Sequence, residues 1–169
     1  MKKQELIKKI IEGESFKFQG FQKGIFSNWY PIRFQYQDKD FYNSEQAFMY
    51  LKAKYFGDNN TAEKILNTLS PAIAKKFGRE VSGFDEELWE EVREEFMYQA
   101  VRAKFMQNDL IKRTLLNTGD DVLVECSSAD TIWGAGIDIQ DSRINEPIKW
   151  PGENLLGFIL MELRDKIGA

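Results

Sequence analysis

The chain has 169 residues, 43% hydrophobic and 14% aromatic, which is ample for one domain with a sizeable core. A net charge of −4 supplies no general basic field for a nucleic-acid duplex. Histidine is absent and Cys126 is the single cysteine, which excludes histidine-based triads, histidine-ligated zinc, intrachain disulfides and multi-cysteine metal sites.

Catalysis, if present, therefore falls to Asp, Glu, Lys, Arg, Tyr or Cys126. No clustered ligand pattern asks for a metal, and no cofactor is expected. No apolar run is long enough for a signal segment or a membrane span, so the chain reads as soluble and cytoplasmic.

In chain order, residues 2–12 form a short amphipathic helix with Leu6, Ile10 and Ile11 on its apolar side, ending at Gly13. Phe16 and Phe18 alternate with polar neighbours as a short strand. Phe21 falls out of that register, so the strand is expected to bend or end at Gly20. Pro31 pushes Tyr30 toward extended geometry and leaves Asn28 and Trp29 in a turn. Asn28 there suits either a base or ribose contact or an ordinary turn. Ile32, Phe34 and Tyr36 alternate as a strand, Asp38-Lys39-Asp40 makes the turn, and Phe41-Tyr42 returns as the second strand of a hairpin.

The stretch 43–56 is the centre of the chain. Asn43 or Ser44 caps a helix whose next Gly or Pro is Gly57. Glu45, Met49, Lys52 and Phe56 share one face at 4-3-4 spacing. A carboxylate and an amine thus stand two turns apart, about 10 Å along the axis, on an aromatic-flanked stripe. Such a stripe lines a polar pocket, or else Glu45 serves the helix N-terminus and Lys52 snorkels to water.

Thr61 is expected to cap a helix over 62–69. Ser70-Pro71 starts another that Gly78 ends, and Arg79 follows, placed either for a phosphate or for the free carbonyls of the helix. Asp85 caps a long helix to about Gln107, with Phe84 stapled onto Trp89. A further helix covers Leu110 to Asn117. Val122–Cys126 reads as a buried strand.

After it, Asp130, Trp133, Gly134 and Gly136 fit either a ligand loop or a plain strand-to-loop turn; without Lys-Ser/Thr the run is not a P-loop. Residues 137–152 look like a polar loop or lid. Asn154 opens a last helix, apolar enough to be buried. No repeat or linker divides the chain.

Taken together, Phe26-Ser27-Asn28-Trp29, Ser44-Glu45-Gln46-Ala47-Phe48 with Lys52, Gly78-Arg79, Trp89, Arg102-Ala103-Lys104-Phe105 with Gln107-Asn108, Leu123-Val124-Glu125, Asp130 with Trp133-Gly134-x-Gly136, and Leu156-Gly157 with Leu160-Met161-x-Leu-Arg164 resemble the YbiA-like, or NADAR, superfamily in order and spacing. The resemblance covers residues 16 to 165, and departs most clearly in 137–152, which bears on substrate choice. It implies an α+β fold: a single compact, mostly helical domain with a small β hairpin or sheet, preceded by an N-terminal helical extension over 1–13.

It also implies an N-glycosidase acting at a ribose C1′ carbon. The substrate is either a phosphoribosylamino-pyrimidine intermediate of riboflavin synthesis or ADP-ribosylated guanine in nucleic acid, the latter with an ADP-ribosyltransferase toxin as counterpart. A non-catalytic ADP-ribose or nucleotide-binding module, or a toxin-neutralising partner, is the competing reading. On this resemblance the catalytic candidates are Lys52, Glu45 and Asp130. The substrate-binding candidates are Asn28, Trp29, Phe48, Arg79, Trp89, Lys104, Trp133 and Gly134. Two mechanisms fit: a carboxylate activates water at C1′, or Lys52 forms a Schiff base with the ring-opened sugar while a carboxylate shuttles protons. The second is preferred for Lys52.

Overall fold

The computed structural model describes residues 1–169. In chain order the elements are α1 (Lys3–Ile11), β1 (Phe18–Phe21), β2 (Phe34–Tyr36), β3 (Lys39–Phe41), α2 (Ser44–Tyr55), α3 (Asn59–Leu66), α4 (Pro71–Arg79), α5 (Glu86–Met106), α6 (Asp109–Leu116), β4 (Val122–Glu125) and α7 (Leu155–Gly168). This is the expected mostly helical α+β class. No helix is long and apolar enough to cross a membrane. The chain divides into two units, Met1–Ser27 with Arg113–Ala169, and Asn28–Lys112.

In the first unit, β1 and β4 pair in parallel, Phe18 opposite Val122 through Phe21 opposite Glu125. Val122, Leu123 and Val124 are wholly buried, as their unbroken apolar run predicts. Gly20 does not bend the strand. It stands inside β1, where a Cβ would meet the Ile144 side chain and the Cys126 sulfur. The lone thiol is buried, and burial pushes its pKa up to about 11.

The apolar α7 packs on β4. Just before it, Asn154 takes a left-handed conformation at φ 55° and turns its amide against the strand. Its Oδ1 accepts from the Glu125 N–H at 2.9 Å, and its Nδ2 donates to the Leu123 carbonyl at 2.9 Å. Gly157 is required one turn later, because a Cβ there would run into that carbonyl and the Asn154 amide. Arg164 closes the far end, donating to Thr118 Oγ1 and the Asp121 carbonyl, each at 2.8 Å.

Residues 137–152, expected as a lid, are built as structure. Two short 3-10 turns, Ser142–Asn145 and Pro147–Lys149, lead to Trp150, which is 3% exposed. Trp150 donates from its indole to the Arg143 carbonyl and packs edge-on against Phe18. Hydrogen bonds from Arg143 hold the Asp141 carboxyl down at about 2. The ammonium of Lys3 donates to the Trp150 carbonyl at 2.7 Å, which fastens α1 to this segment.

In the second unit, β2 and β3 form the expected hairpin. Its turn is the two-residue Gln37-Asp38, both at positive φ, rather than Asp38–Asp40. Two left-handed residues match the strand twist of a tight hairpin. The helix α2 packs against α3, α4 and α5. Asp58, not Thr61, caps α3: its Oδ1 accepts from the Thr61 N–H at 3.0 Å. Ser70 and Asp85 cap α4 and α5 as expected. Gly78 lies within α4 rather than ending it, since Met49 of α2 occupies the space a Cβ would need.

Asn154→Asp should lower stability at neutral pH by about 1–3 kcal/mol, because the donor to Leu123 is lost and a carboxylate faces a carbonyl. Protonation restores a donor. Urea denaturation should therefore show a smaller deficit at pH 4 than at pH 7.

Candidate functional site

The candidate site in the second unit is built on α2, and its start is locked by side-chain amides. Asn43 caps the helix by accepting from the Gln46 N–H at 2.8 Å. The Glu45 N–H donates to the Asn28 carbonyl at 3.0 Å. Ser44 donates its hydroxyl to Asn28 Oδ1 at 2.8 Å, and Asn28 Nδ2 donates to the Met97 sulfur at 3.3 Å. Gln46 is fully buried; its Nε2 donates to the carbonyls of Ile65, Leu66 and Thr68, satisfying the C-terminal end of α3. Asn28 therefore serves as a fixed support for α2, with both ends of its amide used inside the protein.

Glu45 rides in the first turn of this anchored helix and is 8% exposed. Lys52 follows two turns later and is half-buried. Its ammonium lies 4.4 Å from the ring centre of Phe84 and 5.4 Å from that of Trp89. The rings continue as a wall: Phe48 to Trp89 at 5.3 Å, Phe56 to Phe84 at 5.3 Å, Trp89 to Phe96 at 6.0 Å. Phe84 and Trp89, expected to staple onto one another, both lie within reach of the Lys52 amine and both pack on Phe56.

Burial pushes the Lys52 pKa below a lysine's ordinary range; Glu86 opposes this and Arg79 adds to it. A lysine so placed holds more of its neutral, nucleophilic form near neutral pH than a surface lysine does.

The other expected residues separate into several kinds. Phe48 and Trp89, at 3% and 7% exposure, are walls rather than open stacking faces. Trp29 is nearly half exposed and presents its ring to solvent. Arg79 is exposed at the end of α4, close enough to Lys52 to act on its charge. Lys104 is 1% exposed, its ammonium 5.7 Å from the Tyr30 ring centre and 5.2 Å from that of Phe105.

Asp130, Trp133 and Gly134 belong to the first unit. Asp130 Oδ1 accepts from the N–H groups of Ile132 at 3.0 Å and Trp133 at 2.8 Å, closing its own turn. Gly134 is crowded by backbone, since a Cβ would lie 2.8 Å from the Asp130 carbonyl oxygen. The loop is laced to the start of α7 through Asn154 N to Gly134 O and Leu156 N to Trp133 O. An open cavity of about 450 Å³ in the same unit is lined by residues such as Gln19, Phe21, Phe26 and Ile139, and by none of the catalytic candidates. Sequence reasoning missed Phe84 as a site residue, although its place immediately before the Asp85 cap puts it on the Trp89 side of the helix start.

The NADAR domain family model matches residues 16–168. An N-glycosidase of Acanthamoeba polyphaga mimivirus is 38% identical over 148 residues, covering 84% of this chain and 86% of that protein. The N-glycosidase YbiA of Escherichia coli is 34% identical over 144 residues, covering 85% and 81%. The NMR structure of E. coli YbiA superposes with a TM-score of 0.75, at 31% identity, over 92% of this chain and 87% of that one. A riboflavin biosynthesis protein of Vibrio vulnificus is 33% identical over 144 residues, 85% of this chain and 35% of that longer protein.

Because folding depresses the Lys52 pKa, the charged amine costs stability below the folded pKa, and that cost fades as pH rises through the folded value toward the unfolded one. Lys52→Met should therefore be more stable than the parent at pH 7. In paired denaturation curves the gap should narrow as pH rises toward the ordinary lysine value.

Proposed function

Since this chain belongs to the NADAR domain family, we propose that it is an N-glycosidase in which Lys52 is the amine nucleophile and Glu45 the proton shuttle. The observation that carries this is the Lys52 ammonium lying over the Phe84 and Trp89 rings, with its basicity lowered by burial. A pure binding module has no need of a weakened base and a buried carboxylate on one helix.

The substrate is a ribose joined at C1′ to an amine nitrogen. Ring opening turns the C1′–N bond into an imine. The neutral Lys52 amine adds to C1′, a proton moves to the departing nitrogen, and that amine leaves. A lysine imine at C1′ remains. Water then adds to C1′, the amine is released, and the sugar departs as the aldehyde; one water is consumed in all. Glu45 carries the protons between the two nitrogens. Seven residues of helix set its backbone about 10 Å along the axis from that of Lys52, a span that the two long side chains can close around C1′. Arg79, exposed and close to Lys52, takes the sugar phosphate, and Trp29 offers a stacking face. Asp130 holds the turn that carries Trp133.

A phosphoribosylamino-pyrimidine is the favoured substrate. It is small and asks for no basic field of the kind that duplex DNA would need and that a chain of net charge −4 does not supply, and one relative is named for riboflavin biosynthesis. The test is turnover of that ribotide beside an ADP-ribosylated guanine oligonucleotide. Release of sugar phosphate is expected; release of ADP-ribose alone would move the assignment to the nucleic-acid substrate. Binding of free ADP-ribose without turnover of either would mark a binding module. Lys52→Ala and Glu45→Gln should each lower kcat by about 10²-fold or more. Borohydride should trap sugar on the parent and not on Lys52→Ala. Normal turnover by Lys52→Ala would end the mechanism.

A further inference from the structure

Phe84 is not part of any regular element. It stands on the short connection between α4 and α5, and that connection is clasped to the end of α2. Asp58 accepts from the Ser82 N–H through Oδ2 at 2.9 Å while its Oδ1 caps α3. These bonds hold the Asp58 carboxyl well below the usual carboxylate range, so the clasp stays charged at any ordinary pH. Gly83 follows at φ +70°, a turn that favours glycine. The outcome is a ring with one face 4.4 Å from the Lys52 ammonium, its edge against Phe56, and 41% of the residue in solvent. Trp89 behind it is fixed by the helix; Phe84 in front depends on the clasp.

We propose that Phe84 is the positioning residue that keeps water off the Lys52 amine, with Asp58 as the clasp that sets its ring in place. The proposal rests on Lys52 being the reacting group. Two effects of the ring compete. A face-on ring stabilises the ammonium and would make Lys52 more basic. A ring that displaces water destabilises the ammonium and makes it less basic. The proposal takes the desolvating effect as the larger of the two, in keeping with a Lys52 pKa that burial lowers. The charges that act on Lys52 are Glu86 of α5, which opposes the effect, and Arg79 of α4, which reinforces it. The helix α3 and strand β3, also packed on α2, add none that shifts it.

The experiment titrates Lys52 by NMR of the ¹³C-methylated protein, its signal assigned with Lys52→Met, in the parent, Phe84→Ala and Phe84→Leu. Phe84→Ala should move the Lys52 titration up toward ordinary lysine. The same variant should lose about 3- to 10-fold in kcat at neutral pH and recover as pH rises, since each unit of pKa is tenfold in neutral amine. Phe84→Leu, apolar but without a ring face, should keep the parent titration and pH profile. If Phe84→Ala does not fold, Phe84→Val takes its place. An unchanged titration, or one that moves down, overturns the proposal, as does a folded Phe84→Leu that behaves like Phe84→Ala. The titration needs no substrate. A shift there in a protein whose turnover ignores Lys52 would therefore leave the cover standing and remove only the lysine mechanism.

Discussion

The second unit depends on how the first turn of α2 disposes of its polar groups. A helix start leaves its first N–H groups without intrahelical partners, and burying them unpaired costs about 1–3 kcal/mol each. Asn43 takes the Gln46 N–H and the Asn28 carbonyl takes that of Glu45. The Gln46 amide then reaches across to three carbonyls at the end of α3. The start of one helix and the end of another are satisfied by the same few side chains. That is why a turn carrying Ser, Glu and Gln is buried at all, and why it is a rigid platform for Glu45 and Lys52.

Opposed electrostatic effects meet at Lys52. Two ring faces favour its ammonium by about 0.5–2 kcal/mol in such settings. Glu86 favours it too, but from an exposed position where water screens the attraction. Burial and Arg79 work the other way, and the net shift is downward. The burial to which the aromatic wall contributes lowers the basicity of the amine. The same wall explains the packing behind it: Gly78 lets α4 come close enough to Met49 for Arg79 to reach the neighbourhood of Lys52.

Much of this was legible in the sequence because it is local. Ser70-Pro71 and Asp85 cap what they were expected to cap, the hairpin falls where alternation places it, and the apolar runs at 122 and 155 are buried. What was not legible depends on residues far along the chain. Gly20 read as a bend and Gly78 as a stop, but each, like Gly157, is small because a distant side chain or carbonyl occupies the space beside it. The segment 137–152 looked like a lid from its polarity; Trp150 and its bonds to Arg143 and Lys3 make it part of the framework. Asp58 outcompeted Thr61 as a cap because it also serves Ser82, a contact that no local pattern announces.

The same distinction divides the candidate residues. A polar side chain in a motif is present either to hold the backbone or to meet a ligand, and spacing does not tell the two apart. Hydrogen-bond accounting does. Asn28, Gln46 and Asn154 place their amides on partners within their own unit, and Asp130 closes its own turn through Oδ1. Lys52 is the opposite case: its nearest neighbours are rings, which give an amine no acceptor, and its depressed basicity reflects that. A half-buried lysine whose ammonium lies against rings is poorly explained as scaffolding, since a leucine or methionine would fill the same space at no electrostatic cost. That asymmetry, more than the 4-3-4 stripe, supports the proposal that the chemistry sits on α2.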